Sequence, residues 1–91
     1  MNVEEIFQSK TRVKLLFTLL KYGEINITHL IKDSKVDYRS GDAQLELLKR
    51  EGLIEERRFG RIRILKVNYG DPRVASLKRM LDEWNKIELR I

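Results

Sequence analysis

Cysteine is absent from this chain, and histidine and proline occur once each. Without cysteine the protein has no disulfide bond, no thiolate nucleophile and no zinc finger. His29, the single histidine, has no second histidine or cysteine with which to share a metal ion. We therefore expect a surface or capping role for His29, no metal site and no cofactor.

Long apolar runs are also absent. No segment is long enough to span a bilayer, and the residues after Met1 lack the apolar stretch of a signal peptide. These features favour a cytoplasmic protein. The glycines form no phosphate-binding loop, because Gly52, Gly60 and Gly70 each end or turn a predicted element. No arrangement of nucleophile, base and orienting group is visible, so we do not expect an enzyme.

Charged side chains make up 36% of the chain, with 19 Lys and Arg against 14 Asp and Glu, which gives a net charge of +5. A positive net charge is typical of proteins that bind polyanions, but it is also found in proteins with a well-solvated charged surface. The positions of the charges must distinguish between these two interpretations. The length of 91 residues and a hydrophobic fraction of 42% fit one domain with a small core.

Hydrophobic spacing predicts two helices in the first half of the chain. Apolar side chains recur at i, i+3, i+4 and i+7 across residues 10–22, which predicts the main core helix, and Gly23 ends it. A minimal strand follows at residues 24–26. Asn26 then caps a second helix that ends near Lys35.

The stretch of residues 37–68 organises the second half of the chain. Asp37 is a helix cap, Leu45 and Leu48 follow at helical spacing, and Gly52 ends this third helix. Two strands joined by a turn come next, and the returning strand is rich in β-branched residues. A helix followed by a basic two-stranded ribbon is typical of a winged helix-turn-helix. The predicted fold class is mainly α with a small β-hairpin (α+β).

A separate long helix closes the chain. Asp71 is the predicted N-cap of this helix, and Pro72 is its predicted first residue. An apolar stripe with three-four spacing runs through residues 71–90. Nineteen helical residues would be about 28 Å long, more than a domain this small can cover. We expect a dimerisation helix, with these interface residues: Val74, Leu77, Leu81, Trp84 and Ile91.

Three stretches carry a resemblance to a known family: KTRVKLLFTLLKYGEINITHLI, DYRSGDAQLELLKREGLIEERRFGRIRILKVN and DPRVASLKRMLDEW. On these stretches the chain resembles the small winged helix-turn-helix transcriptional regulators of the MarR/ArsR-like kind that are common in archaea. LELLKREGLIEERRFGRIR is the most specific part. The resemblance implies a single domain over residues 1–91, with the helix-turn-helix and wing in residues 9–68 and the dimerisation helix in residues 71–90.

The resemblance also implies a function, which is sequence-specific binding of double-stranded DNA by a homodimeric transcriptional regulator. The third helix would enter the major groove, and the basic wing would reach the backbone or the minor groove. The expected partners are therefore double-stranded DNA and a second copy of the chain, with no membrane. The residues implied at the DNA are Thr28, Tyr38, Arg39, Ser40, Asp42, Ala43, Arg57, Arg58, Arg61 and Arg63.

The third helix departs from the family pattern. Gly41 stands where the family usually has an apolar core residue, and it permits either close helix packing or a bend. The helix is not basic, and Asp42 would accept a hydrogen bond from cytosine but would repel a phosphate. These acidic residues keep an alternative open, in which the domain is a protein-interaction module, an adaptor in a transcription or replication complex.

Three features each have two interpretations. The wing arginines either contact DNA, which we favour, or form a solvated edge in which Glu55 and Glu56 pair with some of them. Phe59 at the turn either folds back across the hairpin or enters the minor groove. Trp84 and Tyr69 either line a pocket for a small-molecule effector or are buried in a dimer interface, and we favour the interface.

Overall fold

The computed structural model describes residues 1–90. In this part of the chain five helices surround one small sheet, which confirms the predicted α+β class. The elements in chain order are α1 (Val3–Phe7), α2 (Lys10–Tyr22), β1 (Glu24–Asn26), α3 (Ile27–Ser34), α4 (Tyr38–Arg50), β2 (Ile54–Phe59), β3 (Ile62–Val67) and α5 (Pro72–Arg90).

Side-chain caps fix where the helices begin. The Asn26 side chain accepts a hydrogen bond of 2.8 Å from the backbone N–H of His29, and Asp37 accepts one of 2.9 Å from Ser40. Ser9 caps α2 in the same way. Each bond satisfies a backbone donor that the first helical turn leaves without a partner. The predicted starts of α2, α3 and α4 are therefore confirmed.

The three strands form one antiparallel sheet in the order β1-β3-β2. Ile25 of β1 pairs with Leu65 of β3, and Phe59 pairs with Ile62 at the end of the β2–β3 hairpin. The hairpin turns through two residues, and the first of them, Gly60, has a φ of 62° that side-chain-bearing residues rarely adopt. We call β2, β3 and this turn the wing.

The core lies between α2, α3, α4 and the inner face of the sheet. Leu15 and Leu19 of α2 are fully buried, whereas Val13 and Phe17 are half-buried at the rim. Removing these aliphatic side chains from water is the main favourable contribution to folding. The largest fully buried side chains are Leu15, Leu16, Leu19, Leu20, Leu30, Leu45, Leu48, Ile54, Leu65, Val67 and Val74.

Gly41 is buried where α4 packs against α3 and the turn that follows α3. A Cβ atom at this position would collide with Ile31 Cδ1 and would lie 3.2 Å from Val36 Cγ2. The close approach of these side chains favours glycine in the middle of this helix, because a methyl group would displace the end of the Ile31 side chain and crowd Val36.

Helix α5 begins on the domain and continues beyond it. Val74 is buried, and Leu77 and Leu81 pack partly against the core, but the side chains of Trp84 and Ile87 are 62% and 56% exposed. The molecule measures 44 × 24 × 23 Å along its principal axes. In residues 1–90 we find no helix with the length and apolar character needed to cross a membrane.

Candidate nucleic-acid interface

The first turns of α4 offer polar side chains to solvent. Tyr38, Arg39, Ser40 and Ala43 are exposed, and Asp42 is half-buried. The opposite side of the helix is held in the core by its leucines, so the orientation of α4 is fixed by apolar packing. The polar end of this helix is thereby presented rigidly at the surface.

A second exposed region is an open groove of about 610 Å³ between the start of α3 and the wing. Thr28 and Arg61, which are 33 positions apart, both line it. They meet because β1, which leads directly into α3, pairs with the middle of β3. Sequence analysis named these two residues separately but did not bring them together.

Two further groove residues, His29 and Lys32, were not among the residues predicted at the DNA, although His29 was expected at the surface. Lys32 follows Thr28 by four positions and therefore lies on the same face of α3, so helical spacing was a usable signal. His29 lies at the surface, where its ring stands 5.3 Å from the ring of Tyr22. Lys32, Arg61 and Arg63 give the lining of the groove three basic residues.

The wing carries four arginines, which the structure divides into two groups. Arg57, Arg58 and Arg61 are exposed, although Arg58 Nε donates a hydrogen bond of 2.6 Å to Glu56. The side chain of Arg63 is only 11% exposed. Three of the four arginines are thus at the surface, whereas the Arg63 side chain is largely buried against the rest of the fold.

Arg63 is the centre of a network that joins the wing to α4. Its guanidinium donates hydrogen bonds of 2.8 Å to Asp42, 2.9 Å to the Tyr38 hydroxyl, and 2.9 and 3.0 Å to Glu56. All three guanidinium nitrogens of Arg63 therefore bind protein acceptors. From the sequence we expected this side chain to be available for contact with a phosphate. The suggested pairing of Glu56 with wing arginines is confirmed.

Strand alternation explains why Arg63 faces inward. Residues 63, 65 and 67 of β3 lie on one side of the strand, and Leu65 and Val67 on that side are buried. The sequence correctly places Arg63 on the opposite face of β3 from Ile62 and Ile64. The face that carries Arg63 is the one that packs towards α4. Arg61 lies in the turn, where it is exposed.

The network shifts the pKa of its acidic member strongly. The Glu56 side chain is 5% exposed, and hydrogen bonds from Arg63, Lys49 and Arg58 lower its pKa to about 2. Hydrogen bonds to Glu56 and Asp42 in turn raise the pKa of Arg63 above its ordinary value. Because the ionised forms of Glu56 and Arg63 stabilise each other, both side chains stay charged at neutral pH.

The acidic side chains of α4 are also paired. Asp42 binds Arg63, and Glu46 lies 2.7 Å from the ammonium group of Lys49. Paired carboxylates repel a nearby phosphate less than free ones. The acidic character of this helix is therefore weaker than its sequence indicates.

At the tip of the wing, Phe59 and Ile62 face each other across the turn. Their side chains are 62% and 57% exposed, so the contact between them leaves most of both surfaces in water. The exposed arginines of the wing flank this apolar pair.

The predicted interface residues of α5 have different surroundings. Val74 is 2% exposed in the core of its own chain, which leaves it almost no surface for a second subunit. Leu77 and Leu81 are partly buried, and Trp84 is exposed. Ile91 lies outside the described residues.

An apolar groove of about 420 Å³ lies between the start of the chain, α2 and the first half of α5. Met80 and Leu77 form part of its wall. Trp84 and Tyr69 do not line it, so they do not form the suggested effector pocket there. Within residues 1–90 no cluster of three or more potential ligand side chains is suitable for a metal ion.

No protein-family model matches the chain, and no curated protein matches it in sequence. Solved structures do match. The AntR antimony-specific transcriptional repressor superposes with a TM-score of 0.76 at 21% identity, over 94% of this chain and 77% of that chain. The homodimeric winged helix-turn-helix DNA-binding domain of Mb0332 from Mycobacterium bovis, a possible ArsR-family transcriptional regulator, gives 0.69 at 23% identity, over 96% and 78%.

The transcriptional repressor PagR of Bacillus anthracis gives a TM-score of 0.68 at 20% identity, over 86% of both chains. AntR and PagR are transcriptional repressors, Mb0332 is a possible transcriptional regulator, and the likeness to each covers most of this chain. The order of elements, the three-stranded sheet and the wing agree with this likeness. The chain therefore has the winged helix-turn-helix fold and resembles transcriptional repressors that share it.

Proposed function

We propose that this protein binds double-stranded DNA sequence-specifically as a homodimeric transcriptional regulator. The start of α4 would enter the major groove, and the wing would lie on the backbone or the minor groove. One observation carries this proposal. Arg63 contacts both Tyr38 and Asp42 of α4, so the polar end of the helix and the basic wing lie side by side.

The side chains on this surface suit two different tasks. Arg39 is exposed near the start of α4, and a guanidinium pairs well with the major-groove edge of guanine. Thr28, Lys32 and Arg61 line the groove beside the wing and suit phosphate oxygens, which set affinity and register without reading sequence. Ser40 and Ala43, also exposed on α4, are further candidates for base contacts.

The remaining assignments follow from exposure. Arg57 and Arg58 are placed for the DNA backbone at the wing. Tyr38 and Asp42 are close enough to the DNA side of α4 to contact it, although each is also bound to Arg63. Since Arg63 is largely buried, we assign it a role inside the protein and not a phosphate contact.

A homodimer is proposed from α5. Its second half exposes Trp84 and Ile87, and an apolar groove partly walled by Met80 runs beside its first half. Exposed apolar surface of this kind marks association sites in soluble proteins. The similar Mb0332 domain is homodimeric, which supports the proposal for this chain.

The test is titration of the protein into labelled random-sequence duplex DNA at low salt, followed by selection of preferred sites from a random library. We expect measurable binding whose affinity falls steeply as salt rises, because bound cations are released from the phosphates. We also expect the selected sites to be near-palindromic. Absence of binding at low salt would contradict the proposal and favour the protein-interaction module.

A further inference from the structure

The tip of the wing has little structural support apart from Arg63. Strand β1 pairs only with residues 64–66 of β3, so the hairpin beyond them has no third strand. Arg57, Arg58 and the turn are exposed. A two-stranded ribbon alone is marginally stable in water, so its position depends on contacts with the rest of the fold. Arg63, which lies beyond the last β1 pair, supplies such contacts.

The contacts of Arg63 reach two separate elements. Nη2 binds Asp42 of α4 at 2.8 Å, and Nη1 binds the Tyr38 hydroxyl at 2.9 Å. Nε and Nη2 also bind Glu56 of the neighbouring strand β2, at 3.0 and 2.9 Å. One side chain therefore ties both wing strands to the first two turns of α4.

We propose that Arg63 is a positioning residue for DNA binding, which fixes the wing against the start of α4. It would thereby set the distance between the backbone contacts of the wing and the base contacts of the helix. This inference rests on the proposed DNA-binding function. Arg63 itself would stay inside the protein when DNA binds.

The geometry requires arginine and not merely a positive charge. Three nitrogens of one planar group make bonds to three different side chains. Lysine has the same charge, but a single nitrogen on a flexible stem cannot hold this arrangement. Arg63→Lys therefore keeps the net charge and removes most of the positioning. Arg79→Lys is the matched control, because it makes the same exchange at an exposed arginine of α5, outside the surface proposed to bind DNA.

The first experiment measures binding of both variants to a selected duplex and to a random duplex over a range of salt concentrations. For Arg63→Lys we expect about a tenfold loss on the selected duplex, equivalent to about 1.4 kcal/mol, and little change on the random duplex. The salt slope should stay at the parental value, since no charge is lost. Arg79→Lys should behave like the parent on both. If the two variants behave alike, the proposal is overturned.

Asp42→Asn provides a second variant that keeps the shape of the side chain. If Asp42 only repelled phosphate, loss of its charge would strengthen binding to both duplexes equally. If it anchors Arg63, the ratio of selected to random affinity should fall. An equal gain on both duplexes would contradict the role of Asp42 as an anchor.

The second experiment needs no DNA. Because the chain has no cysteine, Ala43→Cys and Phe59→Cys place two spin labels, one on α4 and one at the wing tip. Both side chains are exposed, and dilution with unlabelled protein removes distances between subunits. We expect a narrow distance distribution in the parent and with Arg79→Lys, and a broad one with Arg63→Lys.

The two experiments separate the two proposals. A broadened distribution without any DNA binding would refute the proposed function while keeping the positioning of the wing by Arg63. Normal sequence-specific binding with an unchanged distribution in Arg63→Lys would refute the positioning role alone. Thermal unfolding of each variant checks that the domain is folded under the conditions used.

Discussion

Arg63 Nη2 donates a hydrogen bond of 2.8 Å to the Asp42 carboxylate, across 21 positions of the chain. This pair joins the wing to the helix that we propose to read DNA. Because the Asp42 carboxylate is paired with Arg63, it repels phosphate less than a free acid on that helix would. The same contact makes Asp42 a poor candidate for hydrogen bonding to cytosine while Arg63 holds it.

The first prediction concerns acid stability. The pKa of Glu56 is about 2 in the folded protein, against an ordinary value of 4.5. Its ionised form therefore stabilises the fold above pH 4.5, and this contribution is lost as pH falls towards 2. A difference of this size corresponds to about 3 kcal/mol of unfolding free energy.

Urea unfolding between pH 6 and pH 2 measures this effect. Glu56→Gln should be less stable than the parent at pH 6 and should lose less stability on acidification. Glu55→Gln, its exposed neighbour, is the control and should keep the parental pH profile. Parallel profiles for Glu56→Gln and the parent would contradict the prediction.

The second prediction concerns Gly41. Alanine in an exposed helix would stabilise by about 1 kcal/mol relative to glycine. Here the new methyl group collides with Ile31 and crowds Val36, and overpacking typically costs 1–3 kcal/mol. We expect Gly41→Ala to destabilise the domain by about 1 kcal/mol.

Ile31→Val tests whether this steric contact is the cause, because it removes the methyl group that the alanine would strike. Alone it should cost about 1 kcal/mol. Combined with Gly41→Ala it should cost less than the sum of the two single changes. Additive free energies of unfolding would show that the crowding lies elsewhere.

The third prediction concerns phosphate contact at the wing. Arg61→Ala should weaken binding similarly on all DNA sequences and reduce the slope of log affinity against log salt by about one. Lys86→Ala is the matched control, because it removes the same charge from the outer half of α5, where the side chain is exposed. Equal slopes for the two variants would place Arg61 away from the phosphates.

The fourth prediction concerns base recognition. Arg39 is exposed at the start of α4, and a bidentate contact with guanine is worth about 1–3 kcal/mol of discrimination. Arg39→Ala should relax the preference at one base position in each half-site. Site selection with the variant and the parent measures this change. Recovery of the parental motif at full strength would show that Arg39 does not read a base.

The sequence predicts those features that depend on local chemistry. Asp37 caps α4, and the helix ends just before Gly52, because caps and helix stops act through neighbouring backbone groups. The direction of Arg63 was not predictable in the same way. Alternation shows which residues share a face of a strand, but only the packing of Leu65 and Val67 decides which face meets α4. The groove that unites Thr28 and Arg61 likewise depends on strand pairing across the whole domain.

The fifth prediction concerns self-association through α5. Trp84 and Ile87 lie on one face of this helix and are more than half exposed. The rest of the described chain leaves them exposed, and burying large aromatic and aliphatic side chains is a strong driving force for association. A two-fold axis through this region would bring the same face of a second copy against it.

Sedimentation measures the mass of the parent and of a Trp84→Glu, Ile87→Glu variant, which is suitable because neither side chain supports the core. We expect the parent at twice 10.9 kDa and the variant at the monomer mass. Leu89→Glu is the control. Leu89 is 88% exposed, but it lies five residues after Trp84 and thus on nearly the opposite face. This variant should remain dimeric.

A dimer would hold two α4 helices about 34 Å apart and so require a near-palindromic site. A monomeric parent at micromolar concentration would therefore contradict both the dimer and the palindrome.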